Sequence, residues 1–343
     1  MQEAQGGAAE TIAEDIASIV ERAGGVDAFL APRIGIATPW REFDYYTGGW
    51  QKGELALIAG RPSMGKTAFA LNALYHSAVR GVPAVFYSYE MTCDSIVVRL
   101  ISRMARITYK DIQRGQLSAN ERRAALDSLA TLRELPIRIV QASGKTVLAI
   151  RCHAERLKRK GKLEIAAIDY IGLIRGSAYH QNRNQELGDV CRQLKEMAGE
   201  LDIPLLVLSQ LSRATETRLD KRPNMGDLRD SGELENHADI IGFLFRPGYY
   251  DRGNESLRMV AELSIAKQRN GDTPTIPLIF RGEYGHFETD SGERSPHDRH
   301  AAHSPAHRAL APLWVDPNRE ESENPLGCPS CSNRRQHRET HSG

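Results

Sequence analysis

Eight consecutive residues, Gly60 through Thr67 (GRPSMGKT), carry the strongest chemical signal in this chain. The pattern G-x-x-x-x-G-K-[ST] builds a loop whose successive backbone N–H groups converge on phosphate oxygens, because its glycines admit conformations closed to other residues. The Lys66 ammonium would neutralise β- and γ-phosphates, and the Thr67 hydroxyl would hold Mg²⁺. Such a loop works only between a strand and a helix. ELALIAG before it is short and apolar enough for a buried strand, while AFALNALYHSAVRG after it has helical spacing and a terminal glycine. The helix N-terminus adds its partial positive charge. In that setting the motif reads as a nucleoside triphosphate site, with Gly60, Arg61, Ser63, Gly65, Lys66 and Thr67 as its contacts.

Hydrolysis needs more than a phosphate cradle: a carboxylate near the metal, a group to activate water and a group to sense the γ-phosphate. Asp169 closes the most apolar run of EIAAIDYIGLI, the Walker B position, which would put a carboxylate beside Mg²⁺; the plainer alternative is a turn-capping aspartate. Glu90 ends AVFYSYE, and strand ends are where ligands sit in doubly wound sheets, so it suits a general base on water. Its alternative is a capping role for the helix TCDSIVVRL. Gln210 ends PLLVLSQL with an amide that both donates and accepts, as a γ-phosphate sensor must.

The elements that position these groups are legible too. Eight strands are expected: ELALIAG, AVFYSYE, IRIV, EIAAIDYIGLI, PLLVLSQL, IIGFLFR, MVAELSIAK and TIPLIFRG. Several are continuous apolar runs separated by helical stretches, the mark of a parallel sheet buried on both faces. The last three follow one another without helices, so that edge is expected to be antiparallel. With 343 residues, 45 Lys and Arg against 44 Asp and Glu, and net charge +1, the chain has no global basic signature, although a narrow basic channel remains compatible with that balance. There is no apolar stretch of membrane-spanning length and no secretory h-region. Five scattered cysteines fit a reduced, cytoplasmic protein. By composition the chain divides into 1–33, with an amphipathic helix carrying Ile12, Ile16, Ile19 and Val20; 34–290, the α/β region; and 291–343, a polar tail holding six of the eleven histidines and expected to be mostly disordered.

Between about Thr38 and Phe287 the motifs resemble, in order, those of the DnaB-type replicative DNA helicases, in their RecA-like C-terminal ATPase domain. GRPSMGKTAFALN resembles the family's Walker A segment. YSYEM resembles its catalytic-glutamate segment, with Tyr89 in place of leucine, and IDYIGL its Walker B strand, with Gly172 where glutamine is common. LKEMAGELDIPLLVLSQLSR resembles the sensor stretch. DLRDSGELENHADIIGFLFRPGYY resembles the DNA-loop signature, with Asp230, Asn236 and His237 departing from it, and AKQRNGDT resembles the arginine-finger hairpin. The resemblance implies a RecA-like P-loop fold that forms a ring of copies, a hexamer, on single-stranded or forked DNA and moves 5′ to 3′ at the expense of ATP. Lys267 and Arg269 would then reach the γ-phosphate held by a neighbouring copy, rather than form a solvated hairpin pair. Arg229, Asp230 and Gly232 would face the DNA channel, with the Arg183-containing stretch SAYHQNRNQE as a second channel loop.

The family's N-terminal domain is longer than the 33 residues that precede the resemblance here, which leaves contact with a primase or loader open. Two further readings compete with the helicase: a filament-forming repair ATPase of the RecA/RadA kind, and a truncated, prophage-type subunit that joins a helicase ring. DLRDSGELE and AKQRNG favour the helicase over the first, and the intact Lys66, Glu90, Asp169, Gln210 and Arg269 over the second. The N-terminal helix matches the family's linker helix and would dock either on a neighbour or on its own domain. Cys328, Cys331, His337 and His341 have C-x₂-C-x₅-H-x₃-H spacing, which a zinc knuckle could use; an unstructured tail is the alternative.

Overall fold

The computed structural model of the protein describes residues 34–176, 183–212, 215–216 and 218–290, together with 20–21. The chain divides into the units Met1–Glu293 and Arg294–Gly343, and every strand and helix below belongs to the first. Most of the amphipathic helix expected near residue 16, and the whole Cys/His tail, lie outside the described residues.

Nine strands form one sheet in the order β3-β2-β4-β5-β1-β6-β7-β8-β9. They are β1 (Leu55–Gly60), β2 (Ala84–Ser88), β3 (Ile137–Gln141), β4 (Ile165–Asp169), β5 (Leu205–Gln210), β6 (Ile240–Phe245), β7 (Val260–Gln268), β8 (Thr275–Arg281) and β9 (His286–Thr289). β1 to β6 are mutually parallel, and β7, β8 and β9 extend the sheet antiparallel, as the helix-free spacing of the last segments predicts. Eight helices among the described residues accompany them: α1 (Arg41–Thr47), α2 (Lys66–Val79), α3 (Cys93–Ala105), α4 (Tyr109–Arg114), α5 (Ala119–Glu134), α6 (Val147–Arg159), α7 (Arg183–Leu201) and α8 (Gly232–His237).

Period-2 alternation explains why the central strands are apolar throughout. Leu55, Leu57 and Ala59 of β1 enter one core with α6 and α7, while Ala56 and Ile58 enter the other with α1, α2 and α3. Every residue of β1, β2, β4 and β6 is buried. β7 and β8 alternate instead, burying Leu263, Ile265, Ile276 and Leu278 on one face only, as an antiparallel extension does.

Three differences from the sequence reading have local causes. β4 stops at Asp169, and Ile171–Leu173 turn into a 3-10 helix, so IGLI is a connection rather than strand. β2 ends at Ser88 because the Ser88 hydroxyl donates to Met91 O (2.6 Å) and accepts from Met91 N (3.1 Å), closing a side-chain turn. β9 is a strand the sequence reading lacks. Its four residues are too few for a periodic signal, yet Phe287 is fully buried against Phe280 (centroids 4.3 Å) and Phe69 (5.7 Å).

That aromatic cluster backs the glycine loop, so Phe287→Ala is expected to destabilise the protein by about 3–5 kcal/mol, read by urea denaturation. A change below about 1 kcal/mol would contradict the packing described.

Candidate nucleotide site

The loop 61–65 leaves β1 where it lies between β5 and β6, and α2 begins at Lys66. Ser63 and Gly65 take left-handed φ values of 66° and 96°. A Cβ at Gly65 would stand 3.0 Å from Phe287 Cζ, and one at Gly60 would stand 2.9 Å from Leu244 O. The cradle is therefore closed to larger residues at both glycines. Lys66 Nζ donates to Gly60 O (2.7 Å) and Arg61 O (3.1 Å). Burial lowers its pKa to about 8, against the opposing pull of Asp169 and Glu90.

Thr67 Oγ1 donates to Asp169 Oδ2 at 2.6 Å. Asp169 is 2% exposed, and burial raises its pKa against the Thr67 hydrogen bond. Its carboxylate therefore meets the phosphate-loop helix. Hydroxyl and carboxylate together supply the two protein ligands Mg²⁺ takes beside phosphate oxygens and water. Cradle, ammonium and ligand pair fit a magnesium–triphosphate group.

Strand register brings the remaining groups to the same end of the sheet. Ser88 lies opposite Asp169, and Tyr89 N donates to Asp169 O (2.8 Å). Glu90 follows at once, exposed at the mouth of the site. Thr92 caps α3 by accepting from Ser95 N, so Glu90 is not needed as the cap. Gln210 pairs with Gly60 in the β1–β5 ladder and is exposed.

Arg61 departs from its sequence assignment. Its guanidinium is buried, donating to Leu211 O (2.9 Å) and to Glu216 Oε1 through Nε (3.1 Å) and Nη2. It clamps the segment after β5 while staying within electrostatic reach of Lys66. Two cations absent from the sequence reading lie here instead. Arg246, at the end of β6, donates to Ser63 O (3.1 Å) over the Phe280 ring. Arg99 of α3 lies within electrostatic reach of Asp169, opposing the rise in its pKa. Both lie in segments read from the sequence, Arg246 at the end of IIGFLFR and Arg99 in TCDSIVVRL, but only the fold brings them to the cradle.

Lys267 and Arg269 lie at the other end of the sheet. Lys267 pairs with Ile241 near the start of β6, and Arg269 N donates to Asp239 O just before it. At ~3.3 Å per residue they stand roughly 10 and 16 Å below the level of Gly60 along the strands. The pair is not simply solvated. Lys267 Nζ donates to Glu235 O, Arg269 Nη2 to Asn236 O (3.1 Å), and Arg269 Nε pairs with Asp239 Oδ1 (3.3 Å). Asp239, which the sequence reading passed over, is 4% exposed and also accepts from Leu55 N (2.8 Å) and Lys195 Nζ (2.7 Å). An aspartate placed directly before the apolar run IIGFLF is the signal that could have marked it.

Arg229 and Asp230 belong to a 3-10 helix, Met225–Ser231, and Gly232 opens α8. The expected open loop is therefore helical in backbone, since α8 starts before β6 does. Arg183 Nη2 folds back on Gly172 O (2.6 Å) and Ile174 O (3.2 Å), bracing the segment after β4 rather than reaching outward. The possible zinc ligands Cys328, Cys331, His337 and His341 lie outside the described residues. No helix among the described residues is long and apolar enough to cross a membrane.

Known proteins resemble this chain over the same region. The family of DnaB-like helicase C terminal domains matches residues 35–289. The replicative DNA helicase DnaC of Bacillus subtilis (strain 168) is 40% identical over 255 residues, covering 74% of this chain and 56% of the relative. The replicative DNA helicase DnaB of Geobacillus stearothermophilus is 39% identical over the same shares. The chain thus spans a little over half the length of these relatives. Among solved structures, an isolated ATPase domain superposes with a TM-score of 0.74 at 35% identity, covering 81% of this chain and 98% of that one. A DnaB-like replicative helicase studied with primase gives the same score and identity over 68% of its chain.

The lowered Lys66 pKa has a testable sign. Phosphate favours the ammonium, so binding is strongest below about pH 8 and weakens as pH rises through that value. A non-hydrolysable triphosphate is expected to bind about ten- to thirtyfold more weakly at pH 9.5 than at pH 7.5, with proton uptake by calorimetry. Lys66→Met should abolish that pH dependence; an unchanged slope in the variant would contradict the assignment.

Proposed function

The chain belongs to the DnaB-like helicase C-terminal domain family, and on that premise we propose that it is the ATP-driven motor of a DnaB-type replicative DNA helicase. One observation carries the reading beyond nucleotide binding: phosphate cradle and finger pair sit at opposite ends of one sheet, so neither completes a hydrolytic site within one chain. A ring in which each copy offers its finger end to a neighbour's cradle supplies the missing half; six copies are what the family resemblance suggests.

In this reading Lys66 and the loop amides hold the β- and γ-phosphates, and Thr67 and Asp169 would hold Mg²⁺, whose charge would offset that developing on the phosphate. Glu90 accepts a proton from the attacking water. Gln210, at the level of Gly60, senses the γ-phosphate and passes its loss to the segment after β5, which Arg61 clamps. The neighbour's Lys267 and Arg269 stabilise the transition state. Asp239 is a positioning residue: by engaging Arg269 Nε it aims the guanidinium outward. The segment around Arg229, Asp230 and Gly232 grips single-stranded DNA, and the resemblance carries 5′-to-3′ movement with it. A primase or loader is a partner suggested by the family alone, with no described residue assigned to it.

ATP turnover with and without single-stranded DNA, run beside unwinding of a forked duplex, tests this proposal. DNA-stimulated turnover with unwinding is expected, falling about 10²-fold or more in Glu90→Gln and about 10³-fold in Arg269→Ala. Asp239→Asn should lower kcat at least about tenfold with little change in KM, since it acts through Arg269. Turnover that ignores both DNA and Arg269 would overturn the motor reading.

A further inference from the structure

A second concave site lies on the sheet's other flank, where α6 leaves part of β3 uncovered. It is a groove of about 530 Å³ lined by Tyr87, Val140, Lys145, His153, Arg156 and Arg159, among others. Among the described residues no carboxylate lines it. The nearby acids are engaged elsewhere: Glu155 and Glu200 pair with Arg151, and Glu164 pairs with Lys158. Among the described residues Lys145, Arg156 and Arg159 have no ion-pair partner. On a chain with a net charge of only +1, that is a local concentration of positive charge rather than a compositional bias.

The surroundings keep the groove cationic and rigid. Tyr87 hydroxyl and His153 Nδ1 are 3.0 Å apart; burial first, then Arg156, Lys145 and Arg138, lower the His153 pKa. Tyr89 donates to Lys145 O (2.9 Å), tying the Lys145 end to the strand extension that bears Glu90. At the same end Thr146 bridges to Arg175, in the segment leading toward the expected second channel loop.

We propose that this groove binds the phosphate backbone of a single nucleic-acid strand, at a site separate from the loops assigned to the channel. At ~1.5 Å rise per residue α6 is roughly 18 Å long, with Lys145 just before its first turn and Arg159 at its last residue, so successive phosphates of one strand reach both while a mononucleotide does not. Tyr87 is fully buried, leaving little of the apolar pocket that anchors a peptide. Flexible cations without a base-reading partner hold a strand independently of sequence. The proposal rests on the helicase reading for the identity of the polymer.

Cys152 is exposed and lines the same groove, whereas Cys191 is buried, so the native chain carries its own probe. The full protein is titrated with labelled (dT)₂₀ by anisotropy, and alkylation of Cys152 is timed by peptide mass spectrometry. Bound oligonucleotide is expected to slow that alkylation about tenfold at low salt, with protection fading as salt rises. Arg156→Ala with Arg159→Ala should remove the protection and lower the slope of log affinity against log salt by about 1.4, at ~0.7 per phosphate contact. Saturated binding with unprotected Cys152 overturns the groove site and leaves the motor reading intact. No oligonucleotide binding at all overturns both. Protection by polyglutamate equal to that by (dT)₂₀, or by inorganic phosphate or ATP alone, also overturns the proposal, in favour of an acidic peptide or a small anion.

Discussion

Parallel pairing of β1 with β5 on one side and β6 on the other sets the level of every group in the nucleotide site. Gly60 lies opposite Gln210, and one strand further on Ser88 lies opposite Asp169. From these two register points the phosphate loop, the carboxylate that meets Thr67 and the exposed Glu90 emerge at one edge. A slip of one residue in any of these strands would turn its apolar set to the wrong core and carry its terminal polar group away from the others. Burial of both faces, which makes these strands apolar throughout, also fixes the alignment of the chemistry.

The same burial charges the site with unfavourable electrostatics. Burial pushes Lys66 toward its neutral form and Asp169 toward its protonated form; each is relieved in part by the other, and Asp169 also by its Thr67 hydrogen bond. A triphosphate with its metal supplies the missing counter-charges, so binding and charge stabilisation reinforce one another. At the far end of the sheet Asp239 plays the comparable part. It engages a backbone amide, Lys195 and Arg269 together, so the position of Arg269 is coupled to the start of β1 and β6. The two ends are thus rigidly linked through the strands themselves.

Much of this was legible in the sequence, because the signals were local. The glycine loop, the apolar runs ending in Asp169 and Gln210, and the helix-free spacing before β7 and β8 all reflect constraints within a few residues. What escaped depends on contacts between distant segments. Arg61 looked like a phosphate ligand until Glu216 and Leu211, about 150 residues away, were seen to hold it. Arg246, Arg99 and Asp239 acquire their neighbours only when β6 and α3 pack. β9 is too short for periodicity, and its single buried Phe287 is meaningful only beside Phe280 and Phe69. The helical backbone at 225–237 was missed because a glycine within a charged stretch reads as loop.

The central claim is that a working site is shared between copies, and subunit mixing tests it most directly. Lys66→Ala protein lacks the cradle but keeps its finger; Arg269→Ala protein keeps the cradle but lacks the finger. The account predicts that each alone is nearly inactive and that a mixture, allowed to exchange subunits, regains DNA-stimulated ATP turnover toward roughly a quarter of the native rate, the share of interfaces that random mixing makes whole. A mixture no more active than the sum of its parts, with exchange verified, would contradict it.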